Sequence, residues 1–235
     1  HPPTMLPAQE KGIPLVIKNT FEPQALGTVI GAAYVPDGRL AKGISSIGNV
    51  AMMQVEGSGM SRLKGAAGRL FGALGKSRVN VILITQNSSQ NSISFAISPK
   101  DIDRARAAIE EEFKAERASH LIEEIGVAEK LAIIAVVGAG MRHQHGIAGR
   151  LFSTLGRSGV NVVAIAQGSS ELNISIVVSK SDEGRALAAV HTGFFFPETK
   201  PVNIFLVGTG LIGPTLLTQI AEPGALLAKE HALDI

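Results

Sequence analysis

The chain has 235 residues, a formal net charge of +2, 45% hydrophobic and 18% charged residues, and no cysteine. That is ample apolar material for folded cores, and too small a basic excess for a polyanion-binding surface. Without cysteine there is no disulfide framework and no zinc–thiolate site, which fits a reducing compartment.

His1 stands where an initiating methionine would, and no signal-peptide pattern follows, so the sequence reads as a segment of something longer. Residues 1–25 are proline-rich. Pro14-Leu15-Val16-Ile17 is a short strand-like run, and Asn19-Thr20-Phe21-Glu22-Pro23 is turn chemistry. Leu26 to Val35 is a second apolar strand candidate, closed by Pro36-Asp37-Gly38.

Residues 65–98 then dominate the pattern, because residues 146–179 repeat them 81 positions later without a gap. The correspondence extends outward, with Asp101, Arg104 and Phe113 meeting Asp182, Arg185 and Phe194. A long period present twice is a duplicated small domain rather than a solenoid. Within the first copy, Val50 to Val55 predicts a strand and Gly57-Ser58-Gly59 a loop. Ala67, Leu70, Phe71 and Leu74 lie on one helical face, and Gly75 stops that helix. Val79 to Gln86 predicts a strand, Ser88 to Ser92 a turn, and Ile93 to Ile97 another strand. Ser98-Pro99-Lys100-Asp101 carries the signature of a helix start, and Ile102, Ala105, Ile109 and Phe113 form the apolar face that follows. Leu121 to Ile125 closes the set. The order is β-α-β-β-α-β, an α+β arrangement.

The second copy matches element for element to Phe194, but nothing after Phe196 supplies its closing strand. The unassigned strand Leu26–Val35 is therefore expected to complete it, which places the first domain as an insertion within the second. Pro197 to Pro201 reads as a linker. Asn203 to Val207 predicts a strand running into Gly208-Thr209-Gly210-Leu211-Ile212-Gly213, a GxGxxG turn before an apolar helix of Leu216, Leu217 and Ile220. The chain holds no second strand with an acidic ribose-binding residue, so a complete nucleotide site is not expected. Val202 to Ala221 is uncharged and reaches the roughly 20 residues a membrane helix needs, but its glycines, proline, Asn203 and Gln219 argue against a span.

The candidate chemistry is that of binding. Gly65 and Gly146 precede helices, where free N–H groups suit a carboxylate and glycine lets a ligand approach the backbone. Period-two alternation puts Asn80, Ile82, Ile84 and Gln86 on one strand face, and Asn161, Val163, Ile165 and Gln167 on its counterpart. The amides of Gln86 and Gln167 can donate to and accept from a ligand hydroxyl; the alternative is that they merely cap the sheet. Asn80 and Asn161 read equally well as turn residues. Gly57-Ser58-Gly59 favours a plain strand-to-helix turn over a phosphate loop. His143 and His145 meet Arg62 and Lys64 in the other copy, so a solvated basic loop is expected there rather than a metal site. Glu110, Glu111 and Glu112 read as an exposed helix face. No nucleophile–base pair emerges, and no catalytic residue is expected. With aromatics at 4%, base-stacking strands of an RNA-recognition type are not expected either.

Taken together, GRLF before VNVILITQNSSQNSISF, GRLF before VNVVAIAQGSSELNIS, IPLVIKNTFEPQALGTVI and NIFLVGTGLIGPTLLTQI resemble the bifunctional aspartate kinase–homoserine dehydrogenases. The resemblance implies two ferredoxin-like βαββαβ ACT domains in tandem, the first inserted in the second, plus a truncated Rossmann start. Residues 1–25 would be the tail of the kinase catalytic domain and 44–126 the first ACT domain. Residues 26–43 with 127–198 would form the second ACT domain, and 199–235 the start of the dehydrogenase. It further implies a cytoplasmic regulatory region that pairs into a homodimer and binds an amino-acid effector, threonine above all, for feedback inhibition. The effector contacts would fall on Met60, Gly65, Ala66, Asn80, Val81, Ile82 and Gln86, and on Gly146, Ile147, Asn161, Val162 and Gln167. Gly208, Gly210 and Gly213 would serve NAD(P), and ATP with Mg the kinase, only in the whole parent; this stretch itself would carry no cofactor, nucleic acid or membrane partner. Gln90 replaces a usual glutamate and Leu172 a common basic residue. A dimerisation module without ligand is the alternative reading.

Overall fold

The structure is a computed structural model. It describes residues 2–31, 38–87, 89, 91–196, 200–202, 204–208, 210, 212–224, 226–227 and 233–234. The chain separates into two units, residues 1–39 and 40–235. In the first, helix α1 (Pro2–Glu10) is followed by strands β1 (Leu15–Ile17) and β2 (Thr28–Ile30), which pair antiparallel.

The second unit holds β3 (Gly43–Glu56), α2 (Ala66–Lys76), β4 (Val81–Gln86), β5 (Ser92–Ile97), α3 (Ile102–Glu112) and α4 (Lys114–Ala118). It continues with β6 (Glu124–Val137), α5 (Ile147–Arg157), β7 (Val162–Gln167), β8 (Asn173–Ser179) and α6 (Glu183–Phe195), and ends in β9 (Lys200–Pro201), α7 (Gly213–Ala221) and β10 (Leu233–Asp234). β9 and β10 form a short parallel pair. Strands β3 to β8 form one six-stranded antiparallel sheet in the order β4-β5-β3-β6-β8-β7.

The centre of that sheet corrects the expected topology. β3 and β6 are each 14 residues long and pair from Gly43↔Val137 to Glu56↔Glu124. Because 43 and 56 lie 81 positions before 124 and 137, the pair maps onto itself under exchange of the two copies, a pseudo-twofold. Each strand serves both copies. Val50–Glu56 opens the first and Gly43–Gly48 closes the second, while β6 closes the first with Glu124–Ala128 and opens the second with Leu131–Val137. The closing strand of the second copy is thus Gly43–Gly48 and not Leu26–Val35. Of the latter, Thr28–Ile30 instead hydrogen-bonds Leu15–Ile17, and residues 32–35 lie outside the described residues. The boundary drawn before residue 44 moves accordingly, to Asn49. The upstream signal was present, since Leu40, Ala41 and Ile44 match Leu121, Ile122 and Ile125 at the same offset.

Each copy has a core between sheet and helices: Leu70, Phe95, Ile109 and Phe113 in the first, Leu151, Ile134, Val190 and Phe194 in the second. The arginine of each GRLF word locks its two helices together. Arg69 stacks over Phe113 at 4.7 Å and bonds Glu112 and Glu116, while Arg150 stacks over Phe194 at 5.7 Å and donates to the Gly193 carbonyl. A third core lies on the other side of the sheet, where Val50, Met52, Leu83 and Ala96 meet Leu131, Ile133 and Val177. The apolar second face of the edge strands is thus covered first by the other copy in the same chain, a role that the apolar pattern alone would leave to a partner chain.

Downstream, Ile204 to Gly208 is not a strand, and Asn203 lies outside the described residues. Strands need a paired edge to form, and the predicted run finds none among the described residues. The glycine turn is nonetheless tight: Gly208 has φ +94°, Gly213 N–H donates to the Gly210 carbonyl at 3.1 Å, and a Cβ on Gly213 would stand 3.2 Å from the Gly208 carbonyl oxygen.

Candidate functional site

Both helices that follow the GSG-type loops start on a left-handed glycine, Gly65 with φ 78° and Gly146 with φ 80°, and neither start is capped by a side chain. A Cβ at either position would meet nothing within 4 Å, so the glycine is required by its dihedral and the space beyond it is open. The first N–H groups of each helix have no intrahelical acceptor; in α2 the first of them, Ala66 N–H, donates instead to the Leu63 carbonyl at 3.2 Å.

In the second copy this space is a defined cavity of about 430 Å³, lined by His143, His145, Gly146, Ile147, Gln167 and Glu171 among others. Strand β7 delivers Gln167 from its last position, next to the start of α5. Two of the walls have no counterpart among the residues singled out for binding from the sequence. Glu171 Oε2 accepts the His143 backbone N–H at 2.6 Å, which ties the loop entering α5 to the turn after β7. Both residues sit in the left-handed region, His143 at φ 59° and Glu171 at φ 56°. The available signal was the acid in GSSE where the first copy has the amide of NSSQ.

A second cavity, of about 620 Å³, lies on the helix-free face of the sheet and is lined by Gln86 and Gln167 together with Ser45, Thr85, Asn173 and Ser175. A third, of about 590 Å³, is its pseudo-twofold mate. Ser45, Ile47, Ile84 and Ser175 of one correspond to Gly126, Ala128, Ile165 and Ser94 of the other at the 81-residue offset.

The expected site residues are therefore only partly gathered. Gly146, Ile147 and Gln167 share one cavity, and Ile82, Gln86 and Gln167 share another. Met60 and Ala66 are buried in the first core, with Val81 half-buried against it, as Val162 is against the second. Asn80 and Asn161 are exposed just before their strands. The single face predicted for Asn80, Ile82, Ile84 and Gln86 does not exist. A register shift between Val81 and Leu83 breaks the alternation, turning Ile82 onto the third core beside Leu83. The same shift recurs between Val162 and Ala164, and Ile84 and Ile165 are left 48% and 44% exposed. Ser88 and Gln90, in the turn after β4, lie outside the described residues.

Three carboxylates are held below their ordinary range. Glu116 is stabilised as the anion by its bonds to Arg69, with burial opposing; Glu183 likewise by Lys180, with a smaller contribution from Ser46. Glu123 accepts both the hydroxyl and the backbone N–H of Ser58, fixing the loop that leads toward α2. Among the described residues no group of three or more His, Cys, Asp or Glu is placed to hold a metal, and no helix is long and apolar enough to cross a membrane.

A six-stranded sheet built by two interlocked βαββαβ copies, with polar cavities at a helix start and on the helix-free face, defines a tandem ferredoxin-like pair. The ACT-domain family model matches residues 53–113 and 134–194, two spans offset by the same 81 positions, and the chain belongs to that family. It is 42% identical over 231 residues to the bifunctional aspartokinase/homoserine dehydrogenase of Haemophilus influenzae; the match covers 98% of this chain and 28% of that protein. The chain thus spans little more than a quarter of the length of this relative. Among solved structures, the aspartate kinase of Clostridium acetobutylicum superposes with a TM-score of 0.72 at 27% identity, over 83% of this chain and 44% of that one. The ligand-free regulatory subunit of aspartate kinase from Thermus thermophilus shares the fold, with a TM-score of 0.55 at 22% identity, over 66% of this chain and 99% of that one. The chain corresponds to the ACT region of aspartokinase-type proteins.

Proposed function

We propose that this region binds an amino acid, threonine, and through it exerts feedback inhibition on an aspartate kinase and a homoserine dehydrogenase carried by the same protein. The observation that carries the reading is the cavity in which the uncapped start of α5 at Gly146 faces the amide of Gln167. Free N–H groups at a helix start suit a carboxylate, and a primary amide suits a hydroxyl. Both are found on threonine. The name of the relative, bifunctional aspartokinase/homoserine dehydrogenase, supports a place in aspartate-family amino-acid biosynthesis, and ATP with Mg and NAD(P) would serve the catalytic parts of the whole protein. The glycine turn from Gly208 to Gly213 fits the start of a dinucleotide site. The described residues put no strand beneath it, so no cofactor step is derived. We read the compartment as the cytoplasm and the assembly as a homodimer.

Calorimetric titration with threonine, lysine and methionine tests this. Saturable heat with threonine is expected. No heat with any of the three would leave the alternative, a dimerisation module that binds no effector. A ligand at one hundred times its Kd adds roughly 2.7 kcal/mol, or a rise in Tm of roughly 5–11 °C for a chain of this size. Gln167→Ala should lose most of that rise and keep the ligand-free Tm, because an exposed amide contributes little to the empty fold. Gln86→Ala reports in the same way whether the first copy binds. Unchanged shifts in both variants would remove the glutamines from the site.

A further inference from the structure

The β3–β6 pair has an unusual midpoint. Asn49 and Lys130, equivalent at the 81-residue offset, both adopt left-handed backbone, with φ 59° and 56°. The ladder shifts register on both sides of Val50. The extra residue resets the alternation of side chains along each strand. Ser45 and Ile47 line the helix-free face before Asn49, but Val50 and Met52 do so after it. In β6 the switch is from Gly126 and Ala128 to Leu131 and Ile133. The helix-facing positions change in step. Ile44 packs on the second core whereas Met53 and Val55 belong to the first, and Ile125 and Val127 pack in the first whereas Ile134 and Val136 belong to the second. A one-residue slip otherwise turns every side chain to the wrong face, so the two bulges are what allow one strand to serve two cores.

Neither copy is complete without the other's half of that pair. Unfolding the second copy would strip Gly43–Gly48 from Leu131–Val137 and remove Leu131, Ile133 and Val177 from the third core, leaving Met52, Leu83 and Ala96 exposed. The ends are tied as well. Gly57 lies directly under Leu121 and Ile122, and Gly138 under Leu40 and Ala41, at distances that leave no room for a Cβ.

We infer that the β3–β6 pair, bent at Asn49 and Lys130, is a conformational coupling device that makes the two ACT copies one cooperative unit, so that a perturbation confined to one changes the stability of the other equally. An effector held in one copy then stiffens both, and what adjoins either copy receives the same signal.

The chain contains no tryptophan, which makes a site-specific test direct. The full chain is prepared with Phe71→Trp, reporting the first copy, or with Phe152→Trp, reporting the equivalent half-buried position in the second. Urea unfolding is followed by fluorescence. Adding Ile134→Val, a small truncation in the second core, should lower the midpoint seen by the first-copy reporter as much as that seen by the second-copy reporter. Ile97→Val in the first core should do the reciprocal. Lys130→Gly, which removes the side chain from the left-handed position, should shift both reporters together. A first-copy midpoint that holds while the second-copy midpoint falls, or the reverse, overturns the inference. So does a Lys130→Gly shift seen by one reporter only.

Discussion

Gly57→Ala tests the crossing at the end of β3 more sharply than any core truncation. The added Cβ would stand 2.2 Å from the Leu121 carbonyl oxygen and 2.7 Å from Ile122 Cα. Ordinary contact between such atoms is at about 3.5 Å, so one backbone must move by about an ångström. Neither is free to do so. Gly57 N–H donates to the Asn91 carbonyl at 3.0 Å, Gly59 N–H to Leu121 at 3.2 Å, and Glu123 N–H to Glu56 at 2.8 Å. Overpacking against fixed backbone costs ~3 kcal/mol, which for a chain of this size lowers Tm by roughly 6–12 °C. Gly72→Ala is the matched control, because that glycine is exposed within α2 and its Cβ would meet nothing within 4 Å. It should stabilise by about 0.5–1 kcal/mol through helix propensity. Thermal melts followed by circular dichroism at the helix band decide between them. If Gly57→Ala melts with the parent, the close crossing of Leu121 over β3 is wrong, and with it the account of how β6 enters the sheet.

Three further outcomes are expected. Glu116 and Glu183 have depressed pKa values, so their stabilisation is complete above the ordinary carboxyl range and is lost as pH falls below about 4. Glu116→Gln should flatten the acid limb of a stability–pH curve measured by urea unfolding, and an unchanged limb would count against the Arg69 pair. A chain lacking residues 1–39 should keep the melting behaviour of the sheet, whereas one lacking 1–49 should aggregate, because Leu131–Val137 becomes an unpaired edge; equal solubility of the two would refute the closing role of Gly43–Gly48. Light scattering should give the mass of a dimer, since Ile47, Ile84, Val163 and Ile165 leave apolar area exposed beside the edge strands; a monomer would show that the third core suffices.

The sequence by itself determined what is periodic or local. The helix over Ala66–Lys76 followed from the spacing of Ala67, Leu70, Phe71 and Leu74, and the hairpin strands from their β-branched runs, because a helix face or a pleat is set by near neighbours. The glycines at 65 and 146 were legible as points of close approach before a helix, while their left-handed backbone, φ 78° and 80°, came from the structure. The 81-residue offset fixed the duplication and, with it, the equivalence of Gln86 and Gln167. Tertiary structure decided everything that depends on which strand edge is free. Gly43–Gly48, a weakly apolar stretch marked in the sequence only by the offset match of Leu40, Ala41 and Ile44, took its place where β6 offered it an edge, whereas the more hydrophobic run beginning at Leu26 paired with the nearer Leu15–Ile17. The faces of Ile82 and Val163 turned on bulges that have no signature in period-two alternation. The left-handed Asn49 and Lys130 are invisible in composition, because neither residue type demands that conformation. It is imposed by the need of one strand to present apolar side chains to two cores on either side of its own midpoint.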